Sequence, residues 1–383
     1  MKSIKHYVDA VQNRTMSYIN QRRGWTTDRK IIVIESDDWG SIRMPSREVY
    51  ERTLKEGYRV DLNMYEKYDS LESEDDLVFL FETLSKFKDI NGNYPQITAN
   101  SLVANPDFVR IKESGNVEYF IETIDKTFAS YPKHTKSMDL WYEGERKGIF
   151  CLQFHGREHF NQFIFINALK ERKEEALWAL ENKMGGSITK NGDYKNYYVA
   201  ASAFKTIKEV ELGVDNIKEG IRLFKSIHNK ESKSYIGTNY YWPLEFEDVL
   251  HAEGVKYIQG ITTHKLPIQN ISNRNKLFHY LGEVNRHNQI YLIRNCFFEP
   301  TCTPNIDSVS NCLKQIETAF KLSKPAIISS HRCNYIGNIF EDNRDKNLIQ
   351  LSRLITEIQK KWPEVEFMNS EQLGTLIEND RSF

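Results

Sequence analysis

The chain of 383 residues has almost no net charge: 52 Lys and Arg stand against 53 Asp and Glu. Such a balance excludes the basic face that a nucleic-acid partner requires. Cysteine is scarce too. Cys151, Cys296, Cys302, Cys312 and Cys333 are odd in number and lack CxxC spacing, which excludes a disulfide framework or a cysteine zinc site and reads as reduced thiols. No apolar run approaches the ~18 residues of a membrane span. The first 24 residues carry His6, Asp9, Asn13, Arg14 and Gln21 instead of a signal-peptide core. Ile4, Tyr7, Val8, Val11 and Tyr18 recur there at helical spacing, so the expectation is a cytoplasmic protein opening with an amphipathic helix over 1–24. Internal repeats, low-complexity tracts and Pro/Gly/Ser-rich linkers are absent as well.

What the chain does have is 40% hydrophobic residues, 12% aromatics and 27% charged residues, the balance of an ordered globular protein. Tyr and Phe dominate the aromatics, enough to fill a core and leave stacking surfaces of the kind sugar rings use. Short apolar runs at 30–35, 96–102, 149–154, 234–241, 257–261, 289–296, 326–330 and 365–368 read as strands. Helical spacing falls between them at 73–86, 117–129, 159–184, 203–229, 244–253, 307–322 and 346–361. This alternation predicts an α/β chain with a mainly parallel sheet closing as a (β/α)7-8 barrel. The simplest organisation is one elaborated barrel over 1–383, with the N-terminal helix and a helical insertion at about 160–233.

Three strand ends carry chemical residues. The apolar run at 30–35 leads directly into Asp37 and Asp38, two carboxylates whose side chains alternate in direction, so that one can hold a metal while the other serves as a base. The run at 149–154 leads into His155-Gly156-Arg157-Glu158-His159. That i, i+4 pair places two imidazoles on one helical face, ready to share a cation. The third run, at 326–330, ends at His331. In a parallel barrel these ends converge on one mouth. Asp75-Asp76 is the contrasting case, following Ser73 as a helix N-terminus.

In motif order these residues resemble the polysaccharide deacetylase family, carbohydrate esterase family 4, the NodB homology domain. Ser36-Asp37-Asp38-Trp39-Gly40 is similar to its TFDDG motif, His155–His159 to its HxxxH motif, and Pro325–His331 to the late strand bearing its catalytic His. The resemblance spans about 30 to 368 and implies a distorted (β/α)7 barrel. It also implies metal-assisted removal of an N-acetyl or O-acetyl group from a sugar or glycan. Asp38, His155 and His159 are the implied metal ligands, Asp37 the base and His331 the acid. Trp39, Tyr241, Trp242 and Arg294 are candidate substrate contacts. The family's RxPxG motif is echoed at Asn239-Tyr240-Tyr241-Trp242-Pro243 without its base-orienting Arg, and Arg294-Asn295 and Glu299 are candidates for a further motif.

Two His and one carboxylate suit zinc, and by ligand type also Co, Ni or Fe. Two rival readings remain. The absent Arg fits a carbohydrate-binding relative with weak or no turnover. His-x-x-Glu-His also matches a metallopeptidase pattern with Glu158 as base, although Gly156 is a poor helix former and that reading leaves Asp37 and His331 unused.

Overall fold

A computed structural model describes residues 22–186, 188–192, 198–267 and 275–381. The expected N-terminal helix, 1–24, falls almost wholly outside the described residues, as does part of the polar turn at 185–196.

Thirteen strands are present among the described residues: β1 (Ile31–Trp39), β2 (Ile97–Ser101), β3 (Ala104–Pro106), β4 (Ile121–Thr123), β5 (Phe150–Phe154), β6 (Ser234–Tyr235), β7 (Tyr257–Gly260), β8 (Thr263–Lys265), β9 (Lys276–Phe278), β10 (Ile290–Ile293), β11 (Cys296–Phe297), β12 (Ala326–His331) and β13 (Glu366–Met368). Nine form one sheet in the order β10-β7-β6-β5-β2-β1-β12-β11, with β13 beside the start of β1. All its pairings are parallel. The first and last strands of that order are successive in the chain, separated only by Arg294 and Asn295. Arg294 N–H donates to Gly260 O on β7 at 2.8 Å, and Asn295 N–H donates to Ile327 O on β12 at 3.1 Å. One extended segment therefore pairs with β7 by its first half and with β12 by its second. The sheet returns on itself as a distorted (β/α) barrel in which β10 and β11 act as one stave.

The run read as one strand at 289–296 is thus two short strands with a charged residue at their junction. The run at 234–241 keeps only two strand residues. Gln153 makes so short a strand stable: its Oε1 accepts from Lys233 N, Ser234 N and Ser234 Oγ at 2.8–3.0 Å, so few buried amides go unpaired.

Helices pack outside. Ser73 caps Glu74–Leu84 in a capping box with Asp76, and Thr206 caps the long helix Ile207–His228. The helical spacing at 117–129 instead divides into β4 and a short helix, Ile124–Ser130. The spacing at 159–184 divides into Gln162–Lys170 and Glu174–Glu181. These two helices share a satellite core with Tyr50, Tyr58 and Phe108. Val210, Ile217, Ile221 and Phe224 of the long helix join the main core with the sheet, so that helix behaves as a barrel crossover.

Candidate metal centre and active site

β1 continues through both acidic residues to Trp39, and its register with β2 shifts between Ser36 and Trp39. At this irregularity Asp38 has φ +75°, a left-handed conformation costing on the order of 1–3 kcal/mol in a non-glycine residue. The strain has a consequence: simple alternation would send the two carboxylates to opposite faces, whereas the distorted backbone brings both to the barrel mouth. Surrounding bonds hold the turn. Trp39 Nε1 donates to Ser36 Oγ at 3.1 Å, Gly40 N–H to Glu72 Oε1 at 3.1 Å, and Asn105 Nδ2 to Gly40 O at 2.8 Å.

Asp38 Oδ1 lies 3.3 Å from His155 Nε2 and 3.3 Å from His159 Nε2. All three side chains are buried, and their ligand atoms lie within 4.8 Å of one another. Helical geometry is not what joins the histidines. Residues 155–161 are a loop that turns at Gly156, φ +114°, and the helix begins only at Gln162. Arg157 braces the loop, its guanidinium gripping Glu158 at 2.5 and 2.8 Å and Glu219 at 2.6 Å.

The donor chemistry fits a divalent cation. His155 Nδ1 faces Ile236 O at 2.9 Å. A carbonyl only accepts, so Nδ1 carries the proton and Nε2 presents a lone pair to Asp38, the arrangement typical of a metal-binding histidine. Burial pushes the His159 pKa down to about 3, leaving it neutral near pH 7, and its Nδ1 has no partner. Burial would raise the Asp38 carboxyl, but His159 and Arg43 hold it well below the carboxylate range. With His159 neutral, Arg43 is the cation that persists. Its Nη2 donates to Asp38 Oδ2 at 2.9 Å, leaving Oδ1 for an ion. A buried chain of charge continues from Arg43 through Asp69 and Arg332 to Glu72.

Asp37 and His331 are register partners on β1 and β12, and His331 Nε2 lies 4.0 Å from Asp37 Oδ2. Arg294 donates to Asp37 through Nη1 and Nη2 at 2.7 and 2.6 Å, and to Glu35 through Nε at 2.6 Å. Asn100 Nδ2 adds a 2.8 Å bond to Asp37 Oδ1. Burial works against ionisation, but Arg294 overrides it and holds the Asp37 pKa at about 2. Burial likewise would lower His331, yet Glu299, 2.6 Å from Nδ1, and the nearby Asp38 and Asp37 raise it well above the histidine range. The site thus holds an ionised carboxylate beside a protonated imidazole.

Several sequence expectations change. Arg294 is fully buried and committed to Glu35, Asp37, Tyr240 and Ser329, so it holds Asp37 and has no group left for a substrate. The arginine missing from the Asn239–Pro243 segment is therefore supplied from the β10–β11 junction. Trp39 and Trp242, each 1% exposed, have no face for a sugar: Trp39 packs edge-on against Phe150, and Trp242 stacks on His264 at 3.6 Å. Tyr241 is part-exposed. Tyr65 and Tyr240, not singled out from sequence, are also part-exposed and approach the Asp37–His331 pair; the Tyr65 ring lies 5.3 Å from His331, and Tyr240 Oη accepts from Arg294 at 3.3 Å. Glu35, Arg43 and Asn100 also escaped assignment, whereas Glu299, a candidate for a further motif, is found on His331 Nδ1.

Fold and site together define a distorted (β/α) barrel with an Asp/His/His cluster at the carboxyl ends of its strands. No protein-family profile matches the chain, and no curated protein sequence does. Among solved structures it is similar to a protein described as a polysaccharide deacetylase from Mycobacterium smegmatis, at 9% identity over 94% of both chains with a TM-score of 0.46. It is also similar to Puue allantoinase, at 10% identity over 92% of this chain and 91% of the other, TM-score 0.46. A third is a protein described as a polysaccharide deacetylase from Pseudomonas aeruginosa, at 10% identity over 93% of both chains, TM-score 0.46.

Proposed function

We propose that this chain is a metal-dependent hydrolase that removes an acetyl group, in the first instance N-acetyl, from a sugar or glycan. The observation that carries the reading is the pairing of two oppositely charged catalytic groups, Asp37 held by Arg294 and His331 held by Glu299, beside a three-donor cation site. The sugar and the acetyl group come from the motif resemblance; the acid/base division comes from the geometry.

Asp38, His155 and His159 would hold the cation, which when bound supplies Lewis-acid polarisation of the acyl carbonyl and a more acidic water. Zinc suits the donor set, and Co, Ni or Fe are compatible with it. Asp37, ionised, accepts the proton of the attacking water. Because Arg294 and Asn100 already donate to it, its orientation is fixed before substrate arrives. His331, protonated, delivers its Nε2 proton to the departing amine while Glu299 holds Nδ1. Tyr65 and Tyr240 contribute part-exposed aromatic walls beside these groups.

Two features weigh against the peptidase reading: Glu158 is clamped by Arg157, and the His-x-x-Glu-His segment is a loop. The case for an inactive relative rested on a missing arginine, and Arg294 supplies that contact. Acetate release from N-acetylated sugars by metal-loaded protein tests the proposal. Release that depends on metal and on Asp37 supports it; no release from any acetylated sugar by protein with a full metal complement removes it.

A further inference from the structure

On the mouth face the connection after β7 is a hairpin. The chain runs from Gly260 into β8, which pairs antiparallel with β9, and in that ladder Lys265 and Lys276 are direct partners. Direct partners project from the same face of a ribbon, where two like charges destabilise the pair unless something negative answers them. The opposite face is filled: His264 is buried, stacked on Trp242, with Nε2 2.8 Å from Trp242 O.

Nothing described on this chain answers the two ammonium groups. Lys265 Nζ reaches the Asn239 carbonyl at 3.4 Å and lies 4.9 Å from the centre of the Tyr241 ring. Among the described residues neither lysine has a carboxylate at ion-pairing distance, whereas Lys112, Lys225, Lys256 and Lys361 each have one. Lys265 is part-buried. That burial lowers its pKa, and Lys276 lowers it further.

The pair adjoins the candidate active site through a strained segment. Tyr241 bridges to Lys265, and the two preceding residues, Asn239 at φ +56° and Tyr240 at φ +59°, are both left-handed. Successive non-glycine residues in this region are costly and need surrounding structure to hold them. Here Asn239 presents its carbonyl to Lys265, and Tyr240 sets its hydroxyl on Arg294, the residue that grips Asp37.

We propose that Lys265 and Lys276 form an oxyanion site on the rim of the mouth, and that the substrate is an acetylated sugar carrying a phosphate group rather than a neutral glycan. The choice of reacting group rests on the deacetylase reading; the anion site does not. Phosphate matches the pair because it brings nearly two negative charges and several acceptor oxygens to two compact, strongly hydrated ammonium ions. A carboxylate on an acidic sugar offers the same chemistry with half the charge.

Calorimetric titration of the metal-loaded full chain with N-acetylhexosamine 1-phosphate, the neutral N-acetylhexosamine and an N-acetylated sugar acid tests this. Metal content and Tm are recorded for each variant, so that misfolding and phosphate bound at the metal are separated from the rim. The expected result is binding of the phosphate compound at least tenfold tighter than the neutral sugar, a preference lost in K265Q/K276Q with metal retained and kept in K276R. A phosphate Kd in folded K265Q/K276Q within twofold of the unmodified protein overturns the site. Lysine-dependent binding that favours the sugar acid keeps the site and overturns the phosphate assignment. Lysine-dependent phosphate binding without acetate release from any substrate keeps the site and removes the deacetylase reading instead.

Discussion

Arg294 clasps Asp37 from 257 residues away in sequence, with Nη1 and Nη2 each within 2.7 Å of a different carboxylate oxygen, while its Nε is bonded to Glu35. Three buried side chains thus form one unit in which a single guanidinium serves two carboxyl groups. Removing it leaves both carboxyl groups buried without their guanidinium.

R294A is therefore expected to lower folding stability by about 3–5 kcal/mol, the usual cost of stranding buried charges, and to abolish acetate release. R294K keeps the charge but not the two-pronged fork. It should recover much of the stability and little of the activity, as chemical denaturation and initial rates would show. Equal activity in R294K and the unmodified protein would mean that the fork does not orient the base.

The two neighbouring aspartates should separate cleanly. D38A, H155A and H159A are expected to lose the bound divalent ion, seen as metal content falling well below one per chain. D37N should keep the ion while acetate release drops by roughly 10²–10⁴-fold, the range for a lost general base. Loss of metal in D37N would make Asp37 a ligand. Chelation followed by stoichiometric metal addition should restore the rate of the unmodified protein.

Glu299 is expected to set the alkaline limit of the proposed reaction. Its 2.6 Å contact favours the protonated form of His331, so E299Q should lower the His331 pKa. The form that donates a proton then disappears earlier as pH rises. The alkaline limb of kcat/KM should move to lower pH in E299Q with the acid limb in place, and a pH–rate profile with an unmoved alkaline limb would sever the link.

Acid stability should follow the buried neutral histidines. Burial lowers His228 to about 3, and burial together with His279 lowers His264 to about 3. Below the unfolded value of about 6.5 the unfolded chain takes up protons that the folded chain refuses. Stability therefore falls as pH drops from about 6.5 towards 3, by up to ~1.4 kcal/mol per pH unit for each such group. His228 sits among Phe224, Trp141 and Tyr142, so H228F should fold and flatten this acid limb by about one proton. Denaturant titrations at pH 7, 6, 5 and 4 would show the change in slope.

Much of the barrel is legible because its strands are nearly continuous apolar runs, as parallel strands buried on both faces must be. Ile31–Ile34, Phe150–Phe154 and Ala326–Ile328 declare themselves in this way, and each is followed by a polar residue. The broken stave hides from the same reading. The run at 289–296 reads as one strand, because nothing local shows that its single Arg is buried on two carboxyl groups and divides it. The aromatic assignments mislead for a related reason: composition says that Trp39 and Trp242 are large and stackable, not which side of the core they occupy.

The sequence by itself determined the donor atoms: two adjacent carboxylates, a spaced pair of imidazoles and a late histidine, each following an apolar run. Tertiary structure decided what those atoms do together. The left-handed turn at Asp38 brings its carboxylate to the same mouth as Asp37, and the loop at Gly156, not a helix, brings His159 back to His155. Return of the sheet on itself at Arg294 then sets a guanidinium on Asp37 and leaves Asp38 to the two imidazoles. Such choices depend on strand order and register, which pair residues hundreds of positions apart, and no local spacing carries that information.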